Sequence, residues 1–164
     1  MTTSVISDYE IINNKTKSNM KFFIGFLIFW AFMSYTISFF GWFWLARKYK
    51  ALSPFIGKKW GFQSAIVGIG MNYNSCLTIG ANTEGIYFSI SFPFRIGHPP
   101  LFIPWDEISA EEKQGLFFKR IRLHFSKSPS MTITIWPKIF KEISNLFWNQ
   151  PSQIRINQNN ETTI

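Results

Sequence analysis

The strongest constraint on this chain is a run of 25 residues without a charge, Phe22 to Ala46, bounded by Lys21 and Arg47. As a helix rising about 1.5 Å per residue it would extend roughly 37 Å, enough to cross a hydrocarbon core of about 30 Å with some tilt. A water-soluble domain of this size could not cover so long an uncharged helix. The polar members are Ser34, Tyr35, Thr36 and Ser38, hydroxyls that can bond within a helix or to a neighbour and so do not oppose insertion. Trp42, Trp44 and Tyr49 crowd the C-terminal end, where amphipathic rings favour the headgroup level. The exit reads Trp44-Leu45-Ala46-Arg47-Lys48-Tyr49-Lys50 and carries no small-x-small cleavage pattern, so the segment is expected to be a retained anchor and not a signal peptide.

Charge supports the same reading. The formal net charge is +8, yet residues 15–59 hold eight basic side chains and no acid, while the chain after residue 59 holds nine basic and seven acidic ones. The basicity therefore flanks the apolar run, a pattern that suits an anionic bilayer surface better than nucleic acid, which is not an expected partner. Arg47, Lys48, Lys50, Lys58 and Lys59 lie beyond the run, against Lys15, Lys17 and Lys21 before it. The excess predicts a cell-membrane protein with a single pass and its C-terminal domain in the cytoplasm. The lone cysteine, Cys76, excludes an internal disulfide framework, suits a reducing compartment and reads as a small buried strand residue.

Around the anchor the expected division is a flexible tail at 1–20, a transmembrane helix at 21–47, a basic linker at 48–59, a β-rich domain at 60–149 and a disordered tail at 150–164. Within the domain, Gly85–Phe92 alternates cleanly, with Ile86, Phe88, Ile90 and Phe92 on one face. Phe117–Phe125 alternates again, Ile121, Leu123 and Phe125 inward, Arg120, Arg122 and His124 opposite. Trp60–Ile69, Cys76–Gly80, Leu101–Trp105 and Met131–Trp136 complete six expected strands, Pro104 confining its strand to an edge or bend. The period then changes. Pro137 suits a first helical turn, and Ile139, Phe140, Ile143, Leu146 and Phe147 make one apolar stripe, predicting a helix of about 12 residues over a curved antiparallel sheet. The fold class is thus α+β.

This order of antiparallel strands and one C-terminal helix resembles the pleckstrin-homology-like superfold, including its GRAM-like and membrane-tethered bacterial forms. The residues that carry the likeness are Gly85-Ile86-Tyr87-Phe88 and Ile103-Pro104-Trp105-Asp106-Glu107-Ile108, and it covers Trp60 to about Trp148. The run Phe92-Pro93-Phe94-Arg95-Ile96-Gly97-His98-Pro99-Pro100 is similar to one in small bacterial single-pass membrane proteins. The superfold has seven strands where six are read here. The loop in which its lipid-binding members keep basic residues would be Gly70–Ser75, which has none, so the resemblance does not imply phosphoinositide binding. Fold likeness by itself does not carry function.

Two surfaces are candidates for a ligand or partner. Arg95 and His98 share the Pro-rich loop Phe92–Pro100, where stiff prolines and a free Gly97 would present both to an anionic group; the plain alternative is a long strand connection. Arg120 and Arg122 share a strand face, suited to anionic lipid headgroups or an acidic partner, or simply solvated. Asp106, Glu107, Glu111 and Glu112 lack His or Cys at ligand spacing and read as a solvated turn, Ser109 and Glu112 as a capping box. Cys76 with His98 or His124 is the one conceivable nucleophilic dyad, and no nucleotide, hydrolase or metalloprotease motif appears. The chain is expected to be a membrane-anchored binding or scaffolding module without cofactor or catalysis. The alternative is a subunit assembled with another membrane protein through its helix, or, less favoured, a small enzyme.

Overall fold

The structure, a computed structural model, describes residues 2–114, 118–147 and 154–155. Helix α1 spans Thr2–Phe39 and α2 Trp42–Tyr49; the strands are β1 Lys58–Val67, β2 Met71–Ala81, β3 Gly85–Ile90, β4 Leu101–Pro104, β5 Ile108–Gln114, β6 Lys119–Phe125 and β7 Thr132–Ile135. Helix α3, Pro137–Phe147, and a two-residue strand β8, Ile154–Arg155, follow. The sheet order is β4-β3-β2-β1-β7-β6-β5-β8. Neighbours from β4 through β5 are antiparallel, and β8 runs parallel to β5. Seven antiparallel strands thus curl into a half-barrel around one core, with β1 joining the two halves by pairing with β2 along its length and with β7 at Ala65–Val67.

The 25-residue uncharged run is two elements, not one. Helix α1 stops at Phe39, and the chain turns through Phe40 and Gly41 before α2 begins. In α2, Trp42, Leu45, Ala46 and Tyr49 fall at i, i+3, i+4 and i+7 and are all buried, a helical stripe facing the concave side of the sheet beside β4. The expected transmembrane helix at 21–47 is corrected accordingly, since its last turns belong to the domain core. Trp42 and Tyr49 are core residues; Trp44 stays exposed, with the Arg47 guanidinium 5.7 Å from its ring centroid. Lys50, expected in a linker, bridges to Leu101 of the β4 edge. At the other end, helix begins at Thr2 where a flexible tail to residue 20 was expected. No Gly or Pro precedes Gly25, and lengthening an existing helix avoids the nucleation cost. The stretch Asn13–Phe39 is long and apolar enough to cross a membrane.

The corner fits because two glycines meet there. A Cβ on Gly68, at φ +61 in the β1–β2 turn, would lie 2.9 Å from Gly41 Cα and 3.0 Å from the Phe40 carbonyl oxygen. Only backbones without side chains approach so closely.

The alternating strands bury the expected faces: Ile86, Phe88 and Ile90; Ile121, Leu123 and Phe125; Ile133 and Ile135. Phe92 departs from its strand and is exposed in the following loop. The strand missed in the sequence is β5. Asp106 and Glu107 do sit in a short 3-10 turn, but Ser109–Glu112 lie in β5, not in a capping box. Ile108 and Ala110 point into the core, while Glu111 faces outward across from Arg122; Glu112 follows on the side of Ile121, at the strand end where it pairs with Lys119. Met71–Ser75, expected as a loop, opens β2, and the turn is Gly68-Ile69-Gly70. Helix α3 buries Ile139, Phe140 and Ile143 as its stripe requires, with Phe147 half-buried and Leu146 exposed. The expected tail at 150–164 lies outside the described residues except for the two residues of β8.

A clasp ties α2 to the sheet ends. Tyr49 Oη donates to Glu107 Oε2 at 2.9 Å and accepts from the Lys127 backbone N–H at 2.9 Å, while Lys127 Nζ pairs with Glu107 Oε1. Burial, with the Glu107 carboxylate beside it, pushes the Tyr49 hydroxyl up to about 12.

Candidate functional site

The loop Ser91–Pro100 between β3 and β4 lies against the last ten residues of α1. Ser34 Oγ donates to the Ile96 carbonyl at 2.8 Å, and Ser38 Oγ, one turn on, donates to the Gly97 carbonyl. The Trp30 and Phe94 rings meet at 5.1 Å, and Trp42 Nε1 donates to the Pro99 carbonyl at 2.7 Å. Two hydroxyls of the apolar run, Ser34 and Ser38, therefore have partners in the chain's own domain, while Thr36 bonds back to the Phe32 carbonyl within the helix. Gly97 adopts φ +77, and its missing Cβ would stand 3.1 Å from Tyr35 Cα, so glycine is what lets the loop lie flat on the helix.

His98 does not face outward as expected. It is 2% exposed, packed edge-on to Trp42 and Tyr73. Its Nδ1 lies 2.9 Å from the Ile96 carbonyl, which can only accept, so Nδ1 carries the proton and Nε2 accepts from Tyr73 Oη at 3.0 Å. Burial lowers the imidazole pKa and raises that of the Tyr73 hydroxyl, so a neutral His and a neutral Tyr form the pair. Arg95 alone of the two loop candidates is exposed. The loop splits them, one into the core and one into the surroundings.

A cleft of about 340 Å³ lies between α1 and the domain, walled by Trp30, Met33 and Ile37 on the helix and floored by Asn72, Tyr73 and Cys76. Its size falls within the range of roughly 300–1,000 Å³ usual for small-ligand pockets. Burial pushes the Cys76 thiol up, which leaves it protonated and poorly suited to attack, and His98 Nε2 is already engaged by Tyr73. A Cys76–His98 dyad therefore has neither its thiolate nor its base.

The second candidate pair lies on the convex face. Cross-strand register places Asn72, Ile66, Thr134 and Arg122 in one row. Arg120 stacks its guanidinium 5.1 Å from the Trp136 centroid and lines a smaller hollow of about 130 Å³ with Ser64, Asn72, Asn74 and Trp136. Asn72 and Asn74 also line the cleft against α1, so the two hollows adjoin there. His124 on the same strand pairs with Glu111 at 3.1 Å. Among the described residues no three His, Cys, Asp or Glu side chains gather to hold a metal.

Sequence reasoning named Arg95, His98, Arg120 and Arg122 but missed Asn72, Asn74 and Tyr73, hidden in a stretch read as loop. Ser34 and Ser38 at i and i+4 were the available signal for a docked helix face. Comparison with known proteins finds no matching family model, no matching curated protein and no matching solved structure.

Proposed function

We propose that the protein is a membrane-anchored, pleckstrin-homology-like binding module, with α1 crossing the bilayer and the domain holding an anionic amphiphile at its surface. The observation that carries this reading is the adjoining of the two hollows at Asn72 and Asn74. An apolar wall on α1 leads across two amides to the guanidinium of Arg120, with Arg122 one row away. Among the described residues no carboxylate lines either hollow. A molecule with a hydrocarbon tail and a phosphate head matches that sequence of surfaces, and arginine's forked donors suit the phosphate. Catalysis has no part in this reading.

Five basic residues follow Phe39 within about 20 positions, against three in the corresponding N-terminal stretch, which supports a cytoplasmic domain. The test is label transfer from a photoactivatable phosphatidylglycerol to the full chain in nanodiscs. Transfer is expected to fall about tenfold in Arg120→Gln/Arg122→Gln, the loss of one or two charge-assisted hydrogen bonds, with a phosphatidylcholine probe unaffected. Equal transfer of the anionic probe to both proteins would overturn the headgroup site and favour assembly with another membrane protein through α1.

A further inference from the structure

The segment of α1 free of charge before the domain is reached is short. From Phe22 to Phe39 there are 18 residues, about 27 Å of helix against a hydrocarbon core of about 30 Å. Asn13–Phe39 is long enough to cross, but a span that keeps Lys21 at the interface uses all of the charge-free length, which puts Phe39 at the membrane surface. Ser34 then lies about 8 Å and Trp30 about 14 Å below that surface. Yet these are the residues that the β3–β4 loop touches: Ser34 bonds Ile96, and Trp30 packs on Phe94. A spanning α1 would therefore hold the loop at membrane depth.

We infer that Phe92–Ile96 is inserted in the bilayer beside α1, so that the domain rides partly within the lipid. This inference rests on the reading of α1 as a span. The loop's surface suits hydrocarbon: Phe92 is 89%, Phe94 43% and Ile96 47% exposed, an apolar patch that continues the exposed face of α1. Its backbone is satisfied internally in part, as irregular chain at that depth requires. Pro93, Pro99 and Pro100 have no N–H to satisfy. The Ser91 and Arg95 carbonyls accept from Phe94 and His98 backbone N–H groups, and those of Ile96, Gly97, Pro99 and Pro100 accept from Ser34, Ser38, Trp42 and Ala51. Arg95, the one charged residue of the loop, is exposed and has an apolar stem that can carry its guanidinium toward the headgroups.

The experiment places a nitroxide at single cysteines in a Cys76→Ser background of the full chain, in phosphatidylcholine–phosphatidylglycerol vesicles. Phe92→Cys reports the loop, Phe26→Cys the exposed face of α1, and Thr83→Cys the exposed turn at the opposite end of β3. Because Phe92 and Thr83 are exposed, neither label disturbs packing. Collisions with oxygen are expected to exceed those with a water-soluble nickel chelate at positions 92 and 26, and the order to reverse at 83. If 92 behaves like 83 while 26 remains in lipid, the loop is outside the bilayer and the inference fails with the span intact. If 26 also behaves like 83, the span itself fails and takes the inference with it.

Discussion

Burial of His98 in its neutral form makes it a point where acid acts on the fold. The unfolded chain takes up a proton as pH falls below the ordinary histidine value of about 6.5, while the folded imidazole, held below that value by burial, resists. Its contribution is present above pH 6.5 and is lost as pH falls below it. Denaturant titrations between pH 5 and 8 should show this slope in the wild type and its reduction in His98→Gln; parallel curves would place the proton elsewhere. Glu107 acts lower on the scale. Burial alone would raise its carboxyl, but the Lys127 ammonium and Tyr49 hydroxyl outweigh it and hold the group down, so its contribution is lost only as pH falls below the usual carboxylate range. At Gly97, any side chain meets both a left-handed backbone and Tyr35. Gly97→Val is expected to cost about 1–3 kcal/mol and to open the loop to protease; unchanged stability and cleavage would mean the loop is not seated on α1.

At the scale of elements, α2 is where reading and structure differ most, and the reason is physical. Bilayer and protein core both demand absence of charge, so composition alone could not divide Phe22–Ala46 between them. The dividing signal was periodicity: Trp42, Leu45, Ala46 and Tyr49 share a face, while Arg47 and Lys48 turn away from it. Trp42→Ala should therefore destabilise the fold by about 3–5 kcal/mol, whereas Trp44→Ala should stay within about 0.5 kcal/mol. Equal effects would return α2 to the anchor. Strand β5 was hidden for the opposite reason, since its outward face is charged and only Ile108 and Ala110 mark the core side. Its pairing partner held the clue, because Glu112 meets Lys119 at 3.0 Å and Glu111 meets His124 across one hairpin. Helix α3 was the most legible element. Phe140→Ala should again cost about 3–5 kcal/mol, and Leu146→Ala, at an exposed position, should cost little.

Across the whole molecule, the alternation of β3, β6 and β7 and the stripe of α3 were enough to anticipate a curled antiparallel sheet closed by a C-terminal helix. The candidate site was legible only in its charges. Arg120 and Arg122 stand on the face their strand period assigned them, but what lies beside them depends on register across four strands, and no local pattern encodes that. His98 illustrates the reverse: a conspicuous residue in a conspicuous loop, drawn inward because Tyr73 and the Ile96 carbonyl satisfy both its nitrogens. In the proposed arrangement helix and domain form one unit, the loop held to α1 by Ser34 and Ser38, so that movement of the domain relative to the bilayer would require those bonds to break. The proposed orientation predicts that a reporter fused after the domain is active in the cytoplasm, and activity outside the membrane would reverse it. The claim beneath all of this is that α1 spans a bilayer, and alkaline carbonate extraction of membranes carrying the full chain tests it most directly. The account predicts that the protein stays in the membrane pellet at high pH and high salt; its release into the supernatant would contradict it.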